Sequence, residues 1–287
     1  MEGAWPAGLA HSHREEVTKR SVIIGGIGLI GSKLVRTLQE HGHEAMPAGP
    51  NTGVNAITGE GLAEALDSAD VVIDVSNPPS FEEKAVMSFF ETSTRTLLAA
   101  EAAAGVRHHV VLSAVGTERL SESAYFRARI VQEYLVQHSG IPYSIVRATQ
   151  SFEFIKNIVD AATVGTTVRL APVRFRPMAS EDVAEKVGRI SVGPPVNGVV
   201  EIAGPEEFWL DGVVRDGLRA RQDLREVITD PEARYFGARL NERTLVPGDG
   251  ARLGEIRLDE WRGEVARLAG KPPRQEPASA ISFVAAE

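Results

Sequence analysis

Apolar and polar positions change period along the chain in a regular way. Ser21, Val22, Ile23 and Ile24 lead into the run Gly25-Gly26-Ile27-Gly28-Leu29-Ile30-Gly31, after which apolar residues return at helical spacing through Leu34, Val35 and Leu38. The continuous run predicts a buried parallel strand, and the wider spacing a helix packed on one face. The alternation then repeats, with strands expected at 21–24, 44–46, 71–75, 109–113 and 144–147 and helices at 31–41, 59–67, 81–104 and 124–139. Gly105 and Gly140 are read as helix stops, the second followed by Ile141-Pro142. Strands separated by single helices predict an α/β fold, a doubly wound parallel sheet of Rossmann type.

Beyond Thr149 the regularity loosens. A helix is expected at 152–162, a short strand at 167–170, and a helix capped by Ser180 with Glu181 and Asp182 in its first turn. A strand at 198–203 and helices at 207–220 and about 258–268 follow. The pattern divides the chain into a loose tail (1–19), a nucleotide-binding unit (20–150), a smaller substrate lobe (151–270) and a second loose tail (271–287). Segments at about 172–203 return from the substrate lobe to the main sheet. No internal repeat is present.

The glycines carry the first chemical signal. Gly26-x-Gly28-x-x-Gly31 and Gly25-x-x-Gly28-x-x-Gly31 both fit a strand-to-helix turn in which missing Cβ atoms admit a ligand and unbonded helix N–H groups face a pyrophosphate. Residues 25 to 31 are therefore the expected dinucleotide cradle. Some twenty residues on, Met46-Pro47-Ala48-Gly49-Pro50-Asn51-Thr52-Gly53 holds neither the carboxylate that grips the ribose of NAD nor an arginine for a 2′-phosphate. Asn51, Thr52 and loop N–H groups are able to accept that phosphate, which favours NADP(H) over NAD(H) and leaves both open. Ser76 and Asn77, ahead of Pro78-Pro79, stand where a loop passes the adenine or linking phosphates. Ala148 and Thr149 end the fifth strand and complete the expected cofactor set.

Composition narrows the classes. With 43% hydrophobic and 24% charged residues the 287-residue chain is an ordinary globular one, and a formal net charge of −8 argues against nucleic acid or an anionic membrane as partner. The absence of cysteine removes thiol nucleophiles and thiolate metal sites, so any redox chemistry is borrowed from a cofactor, and it suits a cytoplasmic setting. No apolar run is long enough for a membrane span. His11/His13 and His108/His109 suggest metal only by adjacency; strand alternation sends the second pair to opposite faces, and no metal is expected.

Ser113 ends the fourth strand, and Tyr125 and Arg129 follow at i and i+4 of one helix face. A cation beside a phenol helps it deliver a proton, and a hydroxyl at the carboxyl end of a parallel strand is placed to orient a substrate carbonyl. The plainer alternatives are a packing role for Tyr125 beside Phe126, a strand-end hydroxyl at Ser113, and a surface ion pair between Arg129 and Glu133. Phe152, Phe154, Met178, Tyr235 and Phe236 are candidates for an apolar substrate wall.

Taken together, the glycine turn, Asp70-Val-Val-Ile-Asp74-Val-Ser76-Asn77, Ala102-Ala-Ala-Gly105-Val-Arg-His108-His109-Val-Val-Leu-Ser113, Tyr125-Phe-Arg-Ala-Arg129-Ile-Val-Gln-Glu133, Ser139-Gly140-Ile-Pro142-Tyr143 and Arg147-Ala148-Thr149-Gln150-Ser-Phe152-Glu-Phe154 resemble the atypical short-chain dehydrogenases of the NmrA-like group. The resemblance runs from about Ser21 to beyond Trp261. It implies a nicotinamide-nucleotide-binding Rossmann unit with a smaller substrate lobe, and either reduction of a small carbonyl or quinone-like substrate or non-catalytic sensing of NADP(H). It also implies that Tyr125 is the proton donor, that Ser113 orients the acceptor, and that Arg129 holds the nicotinamide ribose. The family carries lysine at that last position, and arginine is longer, planar and differently hydrated. Helix surfaces in such a fold also offer a homodimer face.

Overall fold

The computed structural model describes residues 18–270. The expected tails therefore lie outside the described residues except for Thr18 and Lys19, and so do His11 and His13. In chain order the elements are β1 (Arg20–Ile24), α1 (Leu29–Glu40), β2 (Glu44–Ala48), α2 (Leu62–Leu66), β3 (Val71–Asp74), α3 (Glu83–Ala104), β4 (His108–Ala114), α4 (Ala124–Gln137) and β5 (Tyr143–Ala148). Then come α5 (Ile155–Ala161), β6 (Thr163–Val164), β7 (Thr167–Leu170), β8 (Arg174–Phe175), α6 (Ser180–Val192), β9 (Gly198–Ala203), β10 (Phe208–Trp209), α7 (Leu210–Ala220), β11 (Glu226–Thr229), β12 (Arg252–Leu253) and α8 (Leu258–Ala269).

The main sheet has seven strands in the order β12-β9-β5-β4-β3-β1-β2, every pair parallel. It is the doubly wound α/β sheet the alternation predicts. Strand β1 is apolar because it is covered on both faces. Ile23 packs with Leu34, Leu38 and Val187 under α1 and α6, while Val22 and Ile24 pack with Leu62, Leu66 and Leu97 under α2 and α3. Because β1 lies between β2 and β3, successive connections leave it in opposite directions, and the crevice outside its carboxyl end is where open α/β sheets bind ligands.

A second core gathers Phe126, Ile158, Val168, Phe175, Leu210, Val214 and Leu245 beneath two small sheets, β11-β7-β6 and β10-β8. Among the described residues no helix is long and apolar enough to cross a membrane.

Several boundaries differ from the expectations. The helix expected at 59–67 shortens to α2 because Gly59 and Gly61 are both left-handed, and a Cβ on Gly61 would meet the Gly53 carbonyl oxygen at 2.2 Å. Strand β2 continues to Ala48 through Pro47, which an edge strand tolerates. The N-cap of α6 is Ala179 instead of Ser180, whose hydroxyl donates to Glu153 Oε1 at 2.5 Å. Phe208 and Trp209 pair with β8 before α7 begins, so the helix expected from 207 starts at Leu210. Strand β11 escaped the pattern because it is short and half-exposed, and exists through its pairing with β7.

Candidate functional site

The site begins where β1 turns into α1. Gly25 is left-handed (φ 81°), its N–H donating to Ala48 O at 2.9 Å, and Gly26 and Gly28 close the turn on Ile23 O and Gly25 O at 3.0 Å each. A Cβ on Gly31 would stand 2.2 Å from Gly25 O and 2.6 Å from Gly26 Cα, so helix and turn pack backbone to backbone. A Cβ on Gly28 meets nothing closer than Gly25 O at 3.3 Å. Helix α1 starts with Gly28 at its N-cap, no side chain capping it and no acidic residue in its first turn. Its leading N–H groups and positive dipole end are left for an anion. The exposed side chains of Ile27 and Leu29 flank the turn. These features fit the diphosphate of a dinucleotide.

The end of β3 lies against this turn. A Cβ on Gly25 would come within 3.0 Å of Ser76 Cα. Ser76 donates to Asp74 Oδ1 from its backbone N–H (2.9 Å) and its hydroxyl (2.6 Å). The other carboxylate oxygen of Asp74 accepts from Gln132 Nε2 at 3.0 Å. Asp74 and Gln132 are both buried.

From Gln132 the network continues to the expected proton donor. Arg129, 5% exposed, donates from Nη1 to Gln132 Oε1 (2.7 Å) and Leu112 O (3.0 Å), from Nη2 to Asn77 Oδ1 (2.7 Å) and the Tyr125 hydroxyl (2.9 Å), and from Nε to that same hydroxyl (3.0 Å). The Tyr125 hydroxyl in turn donates to Asn77 Oδ1 at 3.0 Å. The face of the guanidinium lies over the Phe90 ring, 4.1 Å from its centroid. Tyr125, Arg129 and Asn77 thus form one cluster, but all five N–H groups of Arg129 are taken by the protein itself. In place of the expected hold on a ribose, the arginine in this structure grips the phenol and the chain behind it.

Ser113 belongs to a separate cluster. Its hydroxyl donates to Glu133 Oε1 at 2.5 Å and lies 3.4 Å from Thr117 Oγ1. Glu133 is held at 3.0 and 2.7 Å by Arg147, which also pairs with Glu118. Burial opposes the charge of Arg147, yet hydrogen bonding and charge from Glu133 hold its ionisation above the ordinary range. The alternative ion pair between Arg129 and Glu133 is not formed, because Glu133 turns to Arg147. Nor does Ser113 offer its proton to an acceptor in the crevice, since a buried carboxylate already takes it.

Ala148 and Thr149 are buried at the carboxyl end of β5, and Thr149 Oγ1 and Gln150 Oε1 have no hydrogen-bond partner among the described residues. At the end of β2, Asn51 is exposed, whereas the Thr52 hydroxyl is committed to Gly49, accepting from its N–H and donating to its carbonyl at 2.9 Å each. Thr52 is therefore not available to a 2′-phosphate in this arrangement.

The apolar wall divides in two. Phe152 lies in the core with Ala179, Val213 and Leu258, Met178 in the main core, and Tyr235 in the second core, where burial raises its phenol. These three are corrected to packing residues. Phe154 and Phe236 are only half-buried, 5.8 Å apart between ring centroids. Phe236 is left-handed (φ 46°) and faces Phe81 at 6.5 Å, and Phe81 reaches Tyr125 at 5.7 Å. Phe81, 54% exposed, was read only as the start of the helix expected at 81–104, but it lies in the loop ahead of α3. Gln132 and Asp74 were missed too, and Glu133 was weighed only as a surface partner of Arg129. Their signal was polar residues on the inner side of α4 and an acid closing an apolar strand.

No family model matches the chain. Among curated proteins, the photosystem II assembly factor Ycf39 of Cyanophora paradoxa is 24% identical over 182 residues, 57% of this chain and 56% of that protein. The chain thus matches little more than half the length of that relative. Among solved structures, a short-chain dehydrogenase/reductase superfamily protein from Agrobacterium tumefaciens with bound NAD aligns over 88% of this chain and 100% of its own, with 17% identity and a TM-score of 0.63. MoeE5 in complex with UDP-glucose and NAD aligns over 87% of this chain and 99% of its own, with 15% identity and a TM-score of 0.63. The fold is the Rossmann α/β fold that these solved structures share. The doubly wound α/β fold expected from the sequence is the one observed.

Proposed function

We propose that the protein is an NAD(P)H-dependent oxidoreductase that reduces a small carbonyl or quinone-like substrate. The observation that carries this reading is the pairing of an uncapped, glycine-lined helix start with a phenol clamped by a buried arginine on helix α4. A nicotinamide nucleotide, when bound, supplies the hydride. Gly25 to Gly31 would hold its diphosphate, with Ser76 and Asn77 beside it and Ala148 and Thr149 at the nicotinamide end, where the partnerless Thr149 hydroxyl awaits an acceptor or donor. Tyr125 gives its proton to the acceptor oxygen, and the two N–H groups of Arg129 on the phenol oxygen stabilise the charge left behind. Tyr125 then regains a proton from solvent. Phe81, Phe154 and Phe236 supply an apolar wall. The missing carboxylate at the end of β2 favours NADP(H).

A second reading is a non-catalytic NADP(H) sensor. It is favoured by the closed hydrogen bonding of the site, in which Tyr125 donates to Asn77 and Ser113 to Glu133. Turnover separates the two. Purified protein is expected to oxidise NADPH in the presence of a quinone or aldehyde panel, and Tyr125→Phe to abolish that activity. Tight nucleotide binding without oxidation by any acceptor selects the sensor.

A further inference from the structure

Arg129 is a buried cation whose guanidinium touches no carboxylate among the described residues. A charge in that position requires compensation. The compensation reaches it through one amide: Gln132 accepts from Arg129 Nη1 at 2.7 Å and donates to Asp74 Oδ2 at 3.0 Å. All three side chains are buried, and Gln132 is wholly so. The amide suits this place because its two ends carry opposite hydrogen-bonding character, one toward the cation and one toward the anion. Hydrogen bonds in such a chain polarise one another in a medium of low dielectric. The far oxygen of Asp74 fixes Ser76, whose backbone abuts Gly25 of the glycine turn.

We infer that Asp74, Gln132 and Arg129 form a buried anion–amide–cation relay that positions the Tyr125 hydroxyl from behind, making Gln132 and Asp74 positioning residues for the proton donor. The inference rests on the reading of Tyr125 as that donor. The geometry also gives arginine its purpose at position 129: its fork reaches the phenol on one side and Gln132 and the Leu112 carbonyl on the other.

The test uses the full chain labelled with ¹³Cζ-tyrosine. There are four tyrosines, Tyr125, Tyr134, Tyr143 and Tyr235, and Tyr125→Phe assigns the signal of interest. Gln132→Met removes both amide contacts at similar size, and Asp74→Asn sets donor against donor. Both are expected to displace the Tyr125 signal and leave those of Tyr134 and Tyr143 in place. The double variant Asp74→Asn/Gln132→Glu reverses the relay while keeping each hydrogen bond, and is expected to return the Tyr125 signal toward its original position. A Tyr125 signal that stays put while the melting temperature falls would make Gln132 merely structural and overturn the relay, as would a double variant that remains displaced. If Gln132→Met fails to fold, Asp74→Asn and the double variant decide the matter. Calorimetry with NADPH and NADH on the same samples keeps the two readings apart: a wild-type chain that binds neither nucleotide sinks the proposed function, whereas the relay is judged on the tyrosine signal alone.

Discussion

The Tyr125 hydroxyl accepts hydrogen bonds from two nitrogens of Arg129, at 3.0 Å from Nε and 2.9 Å from Nη2. Any displacement of the phenol oxygen, as by a change of χ1, therefore breaks two charge-assisted bonds at once, which holds the hydroxyl in place.

Lysine at position 129 is not a repair. Its ammonium has three donors against the five that Arg129 uses, so Arg129→Lys leaves Leu112 O or the buried Gln132 Oε1 short of a partner. Each buried acceptor left alone costs about 1–3 kcal/mol. Urea unfolding of Arg129→Lys is expected to show a loss in that range and no gain in NADPH oxidation.

Two glycines of the same turn should respond differently. Gly31→Ala drives a methyl group into backbone atoms of Gly25 and Gly26 that have no flexible end to yield, and overpacking of this kind costs about 1–3 kcal/mol or more. Gly28→Ala meets only one contact, at 3.3 Å, on the side left open toward a ligand. Thermal denaturation is expected to show a large fall for Gly31→Ala and a small one for Gly28→Ala, while calorimetry shows nucleotide affinity lost in both.

Adjacent histidines on β4 titrate in opposite senses. His108 faces Ser191 and Ser144, and burial, with the charge of Lys19 behind it, lowers its ionisation to about 4. Burial also opposes charging His109, but the charge and hydrogen bond of Glu101, with Asp74 beyond, carry it above 6.5. Glu101 is itself raised by burial, so the pair as a unit retains protons that the unfolded chain releases. Stability linked to His109 is present below pH 6.5 and is lost as pH rises through its folded value, and that linked to Glu101 is present below pH 4.5 and is lost as pH rises through its own. Stability linked to His108 is present above 6.5 and is lost as pH falls toward about 4. Each slope is at most about 1.4 kcal/mol per pH unit. Urea midpoints measured on both sides of pH 6.5 should fall in each direction. His108→Gln is expected to flatten the acid limb, and Glu101→Gln/His109→Gln the alkaline one.

Cofactor choice can be read at the end of β2. A carboxylate at the exposed position 51 would repel a 2′-phosphate and bond ribose hydroxyls. Asn51→Asp is expected to weaken NADPH by about tenfold, roughly 1.4 kcal/mol, with NADH held or improved. Equal effects on both nucleotides in calorimetry would remove position 51 from the ribose site.

The sequence by itself determined the local and periodic features. The apolar run before Gly25, the helical return at Leu34 and Leu38, the stop at Gly105 and the i, i+4 neighbourhood of Tyr125 and Arg129 all depend on residues a few places apart, and backbone geometry links them without a tertiary contact. For the same reason the opposed faces of His108 and His109 could be read from strand alternation. Only the tertiary structure decided which partner each polar side chain takes. Arg129 had Glu133 one turn away, yet it joined Asn77 across a separation of 52 residues, while Glu133 turned to Arg147. Phe152 and Tyr235 were indistinguishable from wall residues until packing buried them, since pockets and cores draw on the same side chains. A buried charge settles on whichever partner repays its loss of water, and that partner is chosen by how the sheet and helices meet.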